Sequence, residues 1–125
     1  MRSRARERGQ STVELAVVLP VVMVLLLAVA QSGVLVRDRL ATVHAARVAA
    51  RAVVVDPTTS SAVSALDAAG GRAGDARVEL GGELRSGGFA TVTVHLEPVR
   101  LPLVGRVLGA TTLSERLTVL VEGPA

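Results

Sequence analysis

From Leu15 to Val36 the chain reads LAVVLPVVMVLLLAVAQSGVLV, 22 residues without a single charge. As a helix this stretch is roughly 33 Å long at about 1.5 Å per residue, close to the hydrocarbon thickness of a bilayer. The competing arrangement is a helix buried in a soluble core. A helix apolar on all sides would need more protein around it than a chain of 125 residues leaves over. The stretch therefore predicts a membrane span, and it restricts everything else to one small domain.

Charge is distributed to match. Residues 1–52 hold eight Arg against Glu7, Glu14 and Asp38, a balance of +5, while residues 53–125 hold six Arg against eight acids, a balance of −2. A sequence pI near 11.2 can indicate nucleic-acid binding. Here only one aromatic residue, Phe89, is present to stack on a base, and the arginines flank the apolar stretch, so no nucleic-acid partner is expected. Arg2, Arg4, Arg6 and Arg8 favour a cytoplasmic N-terminus. Arg37, Arg39, Arg47 and Arg51 follow the span, so charge alone decides the orientation weakly. With no Cys, disulfides and thiolate metal sites are excluded.

Four zones follow from the pattern. Residues 1–9 form a charged leader too polar and short to fold. Residues 10–55 read as one long helix, with a transmembrane segment at about 15–36 and an amphipathic second half. There Arg37, His44 and Arg51 recur every seven residues with Arg47 between them, while Ala41, Ala45 and Ala49 recur every four and offer a face that another helix could approach closely. Asp56-Pro57 ends the helix. Residues 56–75 form a linker with a short helix from Ser60 to Ala69, closed by Gly70-Gly71. Residues 76–125 alternate apolar and polar at Ala76–Leu80, Val92–Glu97 and Leu117–Glu122, which predicts three strands with one buried face. Ser86-Gly87-Gly88 turns the first strand into the second. The expected class is α+β, a long N-terminal transmembrane helix followed by a small three-stranded antiparallel ectodomain. The apolar segment Leu101–Leu108, broken by Pro102 and Gly105, reads as a loop resting on the membrane, the helix or a partner, or folded over its own sheet.

The informative residues stand at the mouth of the span: Arg8-Gly9-Gln10-Ser11-Thr12-Val13-Glu14-Leu15. A carboxylate in the bilayer needs a partner. Ser11 and Glu14 have the spacing of a capping box, in which hydroxyl and carboxylate satisfy orphan amides at a helix start, so Ser11 is the expected cap. Gly9 through Pro20, GQSTVELAVVLP, also resembles the opening of the TadE-like family, minor pseudopilins of tight-adherence (Flp) pilus systems, with Leu15 where many relatives carry an aromatic residue. The resemblance implies that a prepilin peptidase cuts after Gly9, that Gln10 becomes the first mature residue, and that Glu14 pairs with its free amine during assembly. Pro20 is expected to kink the helix by removing one backbone hydrogen bond; the resemblance also implies other pilins or pseudopilins and the pilus machinery as partners, and a single-pass inner-membrane location with the C-terminal domain outside.

A secreted protein is the competing class. Ala28-Val29-Ala30 has the small residues of a signal-peptidase site, which would make residues 1–30 a signal peptide and release a small β domain beginning at Gln31. The early Pro20 and the apolar run continuing to Val36 speak against it. An enzyme finds no support. His44 and His95 read as solvated surface, and the glycine pairs at 70–71, 81–82 and 87–88 lack the Lys and Ser/Thr of a phosphate loop. No catalytic residue, metal or cofactor is expected.

Overall fold

The computed structural model describes residues 3–107, 109 and 111–123, with the backbone alone described at 3–9, 104 and 107. The architecture is α+β: a long N-terminal helix followed by a three-stranded antiparallel sheet. In order, the elements are α1 (Ser3–Val55), α2 (Thr59–Ala69), α3 (Gly71–Gly74), β1 (Arg77–Gly82), β2 (Phe89–Leu96), α4 (Val104–Val107) and β3 (Leu113–Leu120). By packing, the chain forms two units, one of the residues up to Gly33 with Arg100–Gly109, the other of Val34–Val99 with the residues from Ala110 onward.

Helix α1 begins before Gln10, where the leader was expected to stay unfolded. The leader's Arg, Ala and Glu are good helix formers, and together they offset the cost of Gly9, about 1 kcal/mol relative to Ala. Helix α2 is capped by Thr58, whose Oγ1 accepts from the Ser61 N–H at 3.2 Å, one residue earlier than a start at Ser60 implies. It closes on Gly70, which takes φ 65°, and the Gly70 N–H donates to the Leu66 carbonyl.

In the second unit the core is built from small side chains. Ala45, Ala46, Ala49, Ala50 and Val53 of α1 pack in one buried cluster with Ala62 and Leu66 of α2 and with Ala90, Val92 and Val94 of β2. Alanines let helix and sheet approach closely, at the expense of buried area per residue. Leu66 and the valines therefore contribute most, roughly 1.5–3 kcal/mol each when fully buried.

Strand β2 is central, with β1 and β3 antiparallel on either side. The register pairs Val78 with Val94 and Leu80 with Val92 across β1–β2, and Leu117 with Val92 and Val119 with Ala90 across β2–β3. These positions share the core face. The alternation places Phe89 on the other face, opposite Leu120, and both are exposed.

The tail after β3 ties the sheet to the end of α1. The N–H groups of Glu122 and Gly123 both donate to the Val54 carbonyl, at 3.0 and 2.9 Å, satisfying one of the orphan acceptors of a helix C-terminus. Gly123 is required there, because a Cβ would collide with the Val55 carbonyl.

Candidate membrane and assembly site

The segment from Gly9 to Pro20 lies wholly within α1. Ser11 is consequently not a helix cap. It stands inside a helix that has already run from Ser3, and the capping-box role expected of it does not hold in this chain. Glu14 sits one turn beyond Gln10 on the same face, and the Gln10 Nε2 donates to Glu14 Oε1 at 3.5 Å. Pro20 is inside the helix, which continues past it. Having no N–H, Pro20 leaves the Ala16 carbonyl without its usual donor.

From Leu15 to Leu26 the apolar stretch is exposed on every side. Val17, Val18, Leu19 and Val21 point in successive directions around the cylinder and all are exposed, as are Leu25 and Leu26. No residue in the most apolar part of α1 is buried. In water so much uncovered apolar surface is untenable for a monomer. Among the described residues one helix, α1, is long and apolar enough to cross a membrane, which suggests a single-pass membrane protein.

Farther along α1 the small-residue face has a use inside the chain. Ala45 and Ala49 are fully buried in the core of the second unit and Ala41 is half-buried, so this face is not left open to a second subunit's helix. Arg37, His44, Arg47 and Arg51 are exposed, as the seven-residue recurrence implies. His95 is only half-buried, 3.8 Å from Glu79, where full solvation was expected.

A buried polar cluster at the start of the second unit was not foreseen. Asp38, 1% exposed, accepts from Arg72 Nε at 3.1 Å and from the Val99 N–H at 2.6 Å. Arg72 also reaches Asp75 at 2.9 Å and the Glu97 carbonyl at 2.6 Å, and the Thr42 hydroxyl donates to the Asp38 carbonyl. The hydrogen bond to Asp38 is the main reason the Arg72 guanidinium holds its proton more tightly than usual, against an opposing effect of burial. This cluster joins α1, α3 and the end of β2. The signal for it was in plain view: Asp38 is the lone acid between Leu15 and Val55, set between Arg37 and Arg39. Among the described residues no group of three His, Asp or Glu side chains is arranged to hold a metal ion.

The family model described as TadE-like protein matches residues 9–51, from the proposed processing glycine into the core-forming half of α1. No curated protein and no solved structure matches the chain. Over residues 9–51 the chain is therefore similar to the TadE-like family.

Proposed function

We propose that the chain is a minor pseudopilin, a structural component that assists assembly of a tight-adherence (Flp) pilus or a related secretion fibre. The observation carrying this reading is the coincidence of the family match with an apolar helix that its own chain leaves bare. A prepilin peptidase cuts after Gly9, and the new amine of Gln10 becomes a cation at the edge of the bilayer. Glu14 is the acid that pairs with it, within one subunit or across to its neighbour. The i, i+4 relation of Gln10 and Glu14, already in side-chain contact, supports that geometry. A carboxylate carried from the membrane into an apolar helix bundle is costly without such a partner. The helix holds the protein in the inner membrane with its N-terminus in the cytoplasm, and the sheet domain stands outside, where it meets other pilins and the assembly machinery.

Glu14→Ala tests this directly. The variant is expected to insert and to be processed like the parent, yet to be missing from sheared, assembled fibres or from complexes cross-linked to other pilins. Undiminished incorporation of Glu14→Ala would remove Glu14 from the mechanism.

A further inference from the structure

After β2 the chain returns to α1, and it does so at the height of the apolar stretch. The Leu101 N–H donates to Gln31 Oε1 at 2.7 Å, and Gln31 is 4% exposed. Gln31 lies inside the uncharged run, about 7 Å of helical rise before its end at Val36. A glutamine in a span carries polar atoms that lipid cannot satisfy, and here a backbone amide is delivered to one of them.

The delivering segment, Arg100–Gly109, packs in one unit with the first part of α1. It is a built turn. The Gly105 N–H donates to the Leu101 carbonyl at 2.9 Å, Gly105 is buried, and a Cβ at that position would crowd Arg100. Leu103 is held at φ 69°, a left-handed conformation that residues with a Cβ rarely adopt, and among the described residues no other non-glycine does so. The strained residue is also the most outward one. At 71% exposure Leu103 is more open than any other large hydrophobic side chain among the described residues, and Pro102 beside it is exposed too. Exposed arginines, Arg100 and Arg106, stand on either side. Backbone strain is retained where the surroundings enforce it for a use, and this strain presents a leucine between two cations at membrane height.

We propose that Arg100–Gly109 is a lipid-interface anchor, in which Leu103 enters the outer acyl region of the bilayer while Arg100 and Arg106 reach lipid phosphates. Long arginine side chains can keep their charge at the headgroups while their stems follow apolar surface. With α1 as the first attachment, the turn is a second one on the same face of the membrane, and it fixes the depth of the helix and its rotation about its own axis. The proposal rests on α1 spanning the membrane.

The chain has no Cys, so single-cysteine variants can be labelled without background. The full chain carrying Leu103→Cys, Val24→Cys or Thr118→Cys, each labelled with a nitrobenzoxadiazole fluorophore, is reconstituted at one copy per nanodisc of phosphatidylglycerol and phosphatidylethanolamine. Quenching by acyl-chain nitroxides is compared with quenching by aqueous iodide. The expected result is lipid quenching at Leu103 several-fold above that at Thr118, with weak iodide quenching, and a shift toward iodide when Arg100→Glu and Arg106→Glu are added. Iodide access at Leu103 equal to that at Thr118 overturns the proposal. So does shielding of Leu103 from both quenchers, which would mean that protein covers it. Indifference to the arginine reversals overturns the phosphate contact. Val24→Cys separates the premises: if it escapes lipid quenching the span itself is wrong, whereas quenching at Val24 without quenching at Leu103 sinks the anchor alone.

Discussion

Three acidic side chains on or facing α1 illustrate how environment sets the worth of a carboxylate. Glu14 is exposed at the edge of an apolar helix and has Gln10 beside it. Asp38 is buried with a cation and a backbone amide, and Glu115 meets Arg39 at 2.9 Å on the open surface. Removing one member of a buried pair leaves the other uncompensated, so Asp38→Ala is expected to destabilise the second unit by about 2–3 kcal/mol. That lies below the cost of a fully buried pair, because Arg72 retains Asp75 and the Glu97 carbonyl. Arg39→Ala should cost less than about 1 kcal/mol, as exposed pairs do. Thermal unfolding of the full chain in detergent, followed by far-UV circular dichroism, checks both, and equal losses would contradict the burial argument. The pH dependence has a definite sign. A guanidinium whose pKa is raised in the folded state contributes stability that is complete below its unfolded value and is lost only as pH rises through the folded one. The contribution of Arg72 is therefore flat across the neutral range. Pairing between Asp38 and Arg72, 34 residues apart, is the part of the molecule least legible in sequence, since nothing local says which distant cation a lone acid will meet.

Among the elements, α1 has two jobs that its sequence separates cleanly: bare and apolar early, small-sided and packed late. The helix, the three strands and the core face were legible because each follows a periodicity, 3.6 residues for the helix and two for the strands. Phe89 shows why periodicity outranks hydrophobicity here. The single Phe is exposed because it falls one position out of phase with Ala90, Val92 and Val94. What sequence missed lies at ends and turns. The start of α1 went wrong because Ser11 and Glu14 satisfy a capping rule that the helix-forming leader overrides, and the Thr58 cap went unnoticed behind a run of equally plausible hydroxyls. Helices α3 and α4, four residues each, carry no periodicity to read. Leu66→Ala, a large-to-small change at the centre of the α2 contact, is expected to cost about 2–5 kcal/mol. Gly123→Ala should expose the end of α1, because the new Cβ cannot coexist with the Val55 carbonyl. Hydrogen exchange should then speed up at the Glu122 and Gly123 amides while the Val92–Val94 amides stay protected. Uniformly faster exchange would mean that this junction holds the whole sheet together.

At the scale of the whole molecule, the far half of α1 supplies much of the core of the second unit, and this explains how a core with so few large side chains persists: much of it is one long helix. The TadE-like match covers that helix from Gly9 to Arg51 and none of the sheet, so the likeness to the family lies in the apolar and core-forming parts of α1. The central claim is thus about what becomes of the N-terminus. Intact mass measurement of the chain purified from membranes of a host with its prepilin peptidase tests it in one step. The account predicts a membrane-retained species beginning at Gln10. A species beginning at Met1 would contradict processing, and a soluble one beginning at Gln31 in the medium would contradict both the anchor and the assembly role.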